Sequence, residues 1–169
     1  MKTFTTKTAG QTTLLAILLA LLTAGCGVPY SKANSRDEFI AEMSSGKWHK
    51  RAETLTIERP YKEVLADVAT YSDNCLDIKI ALGDGIVKVH KTSIEAGNNA
   101  ATIVMQVSWP KSKTKTPPGG RFVFIAKIRS TGTKTTEATI YYDPRMNFII
   151  DPTKETMNGK QPASCPMFM

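Results

Sequence analysis

The sequence predicts an α+β fold: a strand and a helix, then a four-stranded antiparallel meander, with the helix packed on one sheet face and an irregular, disulfide-held C-terminal tail. Three observations predict it. A helical apolar stripe follows Pro60, four later segments alternate apolar and polar residues between turn sequences, and the chain after Asp143 is rich in turn-forming residues. Elements in this order favour one domain in which a helix covers an antiparallel sheet.

The first predicted helix begins at Ser35. The run Ser35-Arg36-Asp37-Glu38 has the spacing of a capping box, in which the serine oxygen accepts an amide hydrogen bond and Glu38 reaches back. The helix is expected to end near Gly46. The basic stretch 47–51, which contains Trp48, is either a connecting loop or an anchor in a membrane headgroup zone, because indole rings and basic groups suit that zone.

A strand over 53–58 and a helix from Pro60 come next. Alternating residues predict the strand. Pro60 suits the first helical position, since its missing N–H costs nothing there. The helix is expected to run to about Tyr71 and to place Cys75 beside the core, and its apolar stripe consists of Val64, Leu65, Val68 and Ala69.

Four strands of a meander are predicted over 86–94, 100–109, 121–129 and 134–142, with short turns at 96–99 and 131–133. In the third of them, Phe122, Phe124, Ala126 and Ile128 are expected on one face. His90 is expected to be a partly exposed histidine of the first strand. The opposite faces carry polar residues, so one sheet face is expected to be wet or only partly covered: Thr102, Gln106, Ser108, Lys127, Arg129, Thr135 and Glu137.

The segment 110–120 joins the second and third of these strands and is basic. Lys111, Lys113 and Lys115 alternate with small polar residues, and Arg121 adds a further charge. We call 110–120 the basic arm. It is either a solvated loop or, together with Arg121, a contact for an anionic surface. In the tail, 147–150 is expected to be a short apolar docking piece, and Asp151 is expected to cap a helix.

The N-terminus has the pattern of an export signal. Lys2 and Lys7 precede a nine-residue apolar run over 14–22, and Thr23-Ala24-Gly25-Cys26 follows. A membrane-spanning helix needs roughly 20 residues, so the run is too short to remain as one. This pattern resembles the precursor of a bacterial lipoprotein, although Thr23 stands where a leucine is more usual. The alternative is an ordinary secretory signal with a chance cysteine.

The resemblance implies a cleaved signal peptide over 1–25, a lipidated cysteine and tether over 26–34, and a single α+β domain over 35–169. It implies that Cys26 carries a diacylglycerol and an amide-linked fatty acid such as palmitate. Gly27 follows that cysteine in place of an aspartate, which resembles the default for the outer membrane, facing the periplasm. Loss of 1–25 removes two of the 22 basic residues and none of the 15 acidic ones, leaving a formal charge of +5.

Cys75 and Cys165 remain once Cys26 is set aside. An exported protein in an oxidising compartment is expected to pair two spare thiols, so we predict a disulfide between them. If the bond forms, changing either cysteine to serine is expected to destabilise the domain about equally.

No motif in the sequence names an activity. GxSxG, HExxH and CxxC are absent, and the spacing of His49 and His90 follows no metal pattern. We therefore expect no catalytic residues, metal or cofactor, and no nucleic-acid partner. The expected role is a non-catalytic, lipid-anchored envelope protein that binds a protein partner in an assembly or secretion machine. The alternative is a carrier or sensor of an apolar ligand held between helix and sheet.

Overall fold

The computed structural model describes residues 31–46, 51–82, 85, 87–111, 115–162 and 164–167. Within these residues the chain forms three α-helices and six β-strands. The helices are α1 (Arg36–Ser44), α2 (Tyr61–Tyr71) and α3 (Asn147–Met157). The strands are β1 (Arg51–Ile57), β2 (Ile78–Ala81), β3 (Val87–Ala96), β4 (Ala100–Ser108), β5 (Arg121–Ser130) and β6 (Thr136–Tyr142). The predicted α+β class is confirmed.

The described strands form one antiparallel sheet in the order β1-β6-β5-β4-β3-β2. The meander therefore has five strands, from β2 to β6, and β1 pairs with β6 at the other edge. The prediction of four meander strands was too low because it missed β2. That strand is only four residues long, too short for its alternation to stand out, and it pairs with the start of β3.

Two of the three predicted helix starts, at Ser35 and at Pro60, are confirmed. The Ser35 side chain accepts from the Glu38 N–H (3.2 Å), while Glu38 Oε2 accepts from the Asn34 N–H (2.7 Å). Pro60 precedes the first residue of α2. A five-residue π-helical turn, Ser72–Leu76, continues α2 and turns Cys75 towards the core. The disulfide between Cys75 and Cys165 is present.

Helices cover both faces of the sheet. On one face, α2 and α3 enclose the larger apolar cluster. On the other, Phe39 and Met43 of α1 pack against Val104, Phe122 and Ile125. The face that was expected to be wet or only partly covered is partly covered, where α1 contacts β5 and β6.

A register shift between Met105 and Gln106 changes the sheet face on which the first residues of β5 lie. Met105 lies opposite Phe124, but Gln106 lies opposite Phe122, so Val123 is the extra residue of a bulge. Phe122 consequently packs towards α1, with its ring centroid 6.3 Å from that of Phe39. The prediction that Phe122 shares a face with Phe124 was wrong, because strict alternation ignores the bulge.

The tail is more regular than predicted. After a 3₁₀ turn over Pro144–Met146, α3 begins at Asn147 and not near Asp151. Pro152 lies inside the helix rather than at its start. The helix packs along α2 and buries Ile149, Ile150 and Met157. The hydrophobic stabilisation from this burial offsets the destabilising effect of a proline in mid-helix.

Candidate functional site at the Ser31 end of the sheet

The described chain is fastened to the domain at its first residue. The Ser31 N–H donates to Oδ2 of Asp143 (3.4 Å), and the Ser31 hydroxyl donates to Oε2 of Glu42 (2.5 Å). Arg121 Nη1 donates to the Ser31 carbonyl (3.5 Å). Ser31 is buried, and Ala33 belongs to the α1 cluster. Residues 31–34 of the predicted tether therefore lie against the domain.

The antiparallel register collects several loops at the same end of the sheet. β2 ends, β3 begins, β4 ends, β5 begins and β6 ends there, next to Ser31. We call this the Ser31 end. It carries the segment between β2 and β3, the basic arm and the turn that leads into α3. The turns at 97–99 and 131–135 lie at the opposite, far end.

The basic arm shows two kinds of structure. Lys111 and Lys115 are exposed, whereas Lys113, like Cys26 and residues 47–50, lies outside the described residues. The last residues of the arm are clamped to β4, since Gln106 Nε2 donates to the carbonyls of Pro118 and Gly120 (both 2.9 Å). The arm is therefore not a fully solvated loop.

Arg121 belongs to β5 and not to the arm. It is half-buried, and its guanidinium faces Ser31. Nearby, Asp143 is 2 % exposed and accepts from Arg145 twice, at Oδ1 from Nε (2.7 Å) and at Oδ2 from Nη2 (2.5 Å). Asp143 thus joins Ser31 to the turn before α3.

Two basic side chains of β3 are buried at or near this end. His90 is 1 % exposed and Lys88 is 7 % exposed. Since His90 lies opposite Val107, both face the helices α2 and α3, and Val87 and Val89 take the other face. The prediction of a partly exposed His90 was wrong. In this part of β3 the polar residues of the alternating pattern, Lys88 and His90, face the core rather than water.

Burial sets the protonation of this pair. It lowers the pKa of His90 to about 4, and the charge of Lys88 adds to the effect. It also lowers the pKa of Lys88, and the charge of Arg145 adds to that. His90 is therefore neutral at pH 7. Nothing in the sequence beyond the basic residue types indicated this cluster.

Exposed apolar side chains accompany the charges. Leu82, which follows β2, is 46 % exposed, and Phe148, in the first turn of α3, is 40 % exposed. Both lie at the Ser31 end, because β2 ends and α3 begins there. The end thus combines cations with apolar side chains in contact with water.

The interior between the helices and the sheet is filled. Bulky apolar side chains from all three layers meet there, each no more than 1 % exposed: Ile57, Val64, Val68, Ile103, Met105, Val107, Phe124, Ile128, Ile140, Ile149 and Met157. Close packing of this kind leaves little room for a ligand between α2 and the sheet.

A half-open groove of about 360 Å³ lies between the C-terminal ends of α2 and α3. Cys75 lines it, so the disulfide forms part of the wall, and most of the other lining groups are polar: Asp67, Thr70, Tyr71, Asn74, Thr156, Gly159, Lys160, Gln161 and Pro162. It is not the apolar pocket that a lipid carrier needs.

A second polar cluster has a structural role. Glu53 of β1 accepts from the Tyr142 hydroxyl at Oε1 (2.5 Å) and from the Lys154 ammonium at Oε2. The hydrogen bond from Lys154 lowers the pKa of Glu53, while burial and then Glu53 raise the pKa of Tyr142 to about 12. Glu53 stays ionised at pH 7 and holds α3 onto the β1–β6 edge.

Among the described residues, no helix is both long and apolar enough to span a membrane, and no three His, Cys, Asp or Glu side chains are grouped to hold a metal ion. No protein-family model matches the sequence, and no curated protein is significantly similar to it.

Proposed function

We propose that this protein is a non-catalytic, lipid-anchored component of the cell envelope that binds a protein partner in an assembly or secretion machine. Cys26 carries the lipid, and the domain sits on the periplasmic side of the outer membrane. The observation that carries the proposal is the fastening of Ser31, because it leaves only a short tether after the lipidated cysteine.

The tether limits where the domain can lie. Ser31 lies five positions after Cys26, and an extended chain spans at most about 3.5 Å per position, or about 18 Å in all. With a lipid on Cys26, the Ser31 end must stay near the headgroups. Its cations and its exposed Leu82 and Phe148 suit such a surface.

The far end of the sheet is then the surface available to a partner. Its turns at 97–99 and 131–134 are exposed and polar. The filled interior supports partner binding over ligand carriage. It argues against the apolar-ligand alternative, in which the ligand lies between helix and sheet.

Intact mass of the protein extracted from membranes tests the anchor. We expect a mature chain that begins at Cys26 with added diacyl and acyl mass, and a Cys26→Ser variant that lacks both. A mature N-terminus elsewhere, without acyl mass, contradicts the proposal.

Site-specific photocrosslinking tests the partner surface. A crosslinking residue at Asn98 or Lys134, both exposed at the far end, should give one discrete adduct in intact cells. The same residue at Lys111 serves as the matched control at the Ser31 end and should not give that adduct. Equal adducts at all three positions contradict the assignment of ends.

A further inference from the structure

Two large apolar side chains on separate elements are open to water at the Ser31 end. Leu82 follows β2 and is 46 % exposed, and Phe148 lies in the first turn of α3 and is 40 % exposed. Among the described residues, the one other large apolar side chain with such exposure is Met167, in the tail. A single exposed apolar residue needs no explanation, but two at one end of a domain whose core is filled favour contact with an apolar surface outside it.

The basic arm lies against the turn that carries Leu82. Gly85, three residues after Leu82, has φ of +70°, and a Cβ built on it would lie 3.2 Å from Nζ of Lys111. The Lys111 ammonium is therefore beside this turn, although Asp84 of the same turn lies outside the described residues. An ammonium next to an exposed leucine suits the boundary between phospholipid headgroups and acyl chains.

Positive charges of the Ser31 end face water, whereas the nearest carboxylates are engaged within the domain. Three lysines there are exposed: Lys32, Lys111 and Lys115. Asp143 is 2 % exposed and bound to Arg145, and Glu42 accepts from the Ser31 hydroxyl. The surface that this end presents to solvent is therefore cationic, which favours an anionic surface as its partner.

We propose that the Ser31 end is a docking face for an anionic phospholipid bilayer. Leu82 and Phe148 enter the boundary between headgroups and acyl chains, and the three exposed lysines contact the lipid phosphates. The proposal rests on the proposed function, because the lipid on Cys26 brings this end to the membrane. A face held so close needs only weak affinity, since a short tether keeps its effective concentration high.

Docking at this face fixes the orientation of the domain. The strands β3 to β6 connect the Ser31 end with the far end, so a bilayer that contacts the Ser31 end leaves the far end directed away from the membrane. The tether alone limits distance but leaves the domain free to rotate. The docking face thus presents the far end to the protein partner.

The test uses the mature chain with Cys26→Ser, so that binding is measured without the covalent lipid. Vesicles of phosphatidylcholine with or without phosphatidylglycerol, at about 1 mM lipid, are separated from unbound protein by flotation. Leu82→Ser, Phe148→Ser and Lys111→Gln change the face. Lys134→Gln, at an exposed position of the far end, is the control with the same change in net charge as Lys111→Gln.

We expect the parent chain to float with phosphatidylglycerol vesicles and to remain unbound with phosphatidylcholine alone. Lys111→Gln and Leu82→Ser should each weaken binding about fivefold, because one cation near an anionic surface or one half-exposed leucine contributes on that scale. Phe148→Ser should act in the same direction. Lys134→Gln should change binding less than about twofold, because the far end lies beyond the screening length of about 8 Å. Thermal melting checks that each variant is folded.

The possible results separate the parts of the proposal. A parent chain that does not bind phosphatidylglycerol vesicles overturns the docking face. Equal weakening by Lys111→Gln and Lys134→Gln shows attraction by net charge and also overturns it. Binding that Leu82→Ser and Phe148→Ser leave unchanged overturns the insertion of the apolar side chains.

Failure of the docking face and failure of the proposed function are distinguishable. An acylated Cys26 in cells together with no vesicle binding by the Cys26→Ser chain keeps the anchor and overturns the docking face alone. Vesicle binding by a protein that carries no acyl mass in cells keeps the docking face and overturns the lipid anchor.

Discussion

The disulfide between Cys75 and Cys165 should supply a large part of the stability of the domain. It closes a loop with a sequence separation of 90 residues. On the chain-entropy model, a crosslink of this span stabilises by about 4.6 kcal/mol at 25 °C. For a domain of this size that corresponds to a fall in Tm of about 10–15 °C when the bond is lost.

The two cysteines of this bond differ in burial. Cys165 is exposed, whereas Cys75 is 7 % exposed and packs in the main apolar cluster. Cys165→Ser should therefore cost the crosslink alone. Cys75→Ser also places a hydroxyl in the core and should cost about 1 kcal/mol or more in addition. The expectation of equal effects changes, because it took no account of burial.

Equilibrium urea unfolding of the mature chain with Cys26→Ser measures these costs. The Cys75→Ala/Cys165→Ala double variant and the reduced parent chain are the controls, and both should match Cys165→Ser to within about 1 kcal/mol. A cost of under about 1 kcal/mol for Cys165→Ser would refute the reasoning. It would mean that the tail beyond α3 already restricts the unfolded chain or that the bond strains the folded state.

Three further predictions concern the fold around the Ser31 end and the core. Gly120→Ala should destabilise the domain by about 2 kcal/mol or more, because φ is +113° and the new Cβ would lie 2.3 Å from a carbonyl oxygen of β4. The control is Gly132→Ala, whose new Cβ has its nearest contact at 3.7 Å and which should leave the thermal melting temperature nearly unchanged. Phe39→Ala should cost about 3–5 kcal/mol by urea unfolding, since its ring is fully buried and fixes α1 to the sheet, and a cost below about 1 kcal/mol would argue against that packing. The pKa of His90 is about 4 in the folded state against 6.5 unfolded, so the unfolded chain takes up a proton first and about 3 kcal/mol of stability is lost as the pH falls from 6.5 to 4. His90→Gln should remove that part of the pH dependence in urea titrations, and an unchanged slope would contradict the assignment.

Several elements could be predicted from the sequence because their causes are local. The capping box at Ser35 is a set of hydrogen bonds within four residues, and Pro60 fixes a helix start by its own geometry. The long strands repeat every second residue. The disulfide followed from cysteine count and compartment, although the positions of its two partners in the fold did not.

Two features depend instead on contacts between distant parts of the chain: the sheet face that Phe122 occupies and the formation of α3. The bulge at Val123 moves Phe122 to the α1 side, and it depends on how β4 and β5 pair rather than on either strand alone. α3 contains Pro152 in mid-helix and still forms, because α2 offers an apolar surface to pack on. Neither effect leaves a pattern in a short stretch of sequence.

The candidate site shows the same division. The sequence alone predicted an export-like N-terminus, a basic arm and a bond between two cysteines. The packing of the strands was needed to place Ser31, Asp143, Arg145 and Lys88 at one end of the sheet. These residues are more than 50 positions apart in places, and whether a lysine in an alternating strand meets water or the core depends on which layers cover that strand. Burial is a property of the packed layers, so it becomes definite only when all of them are in place.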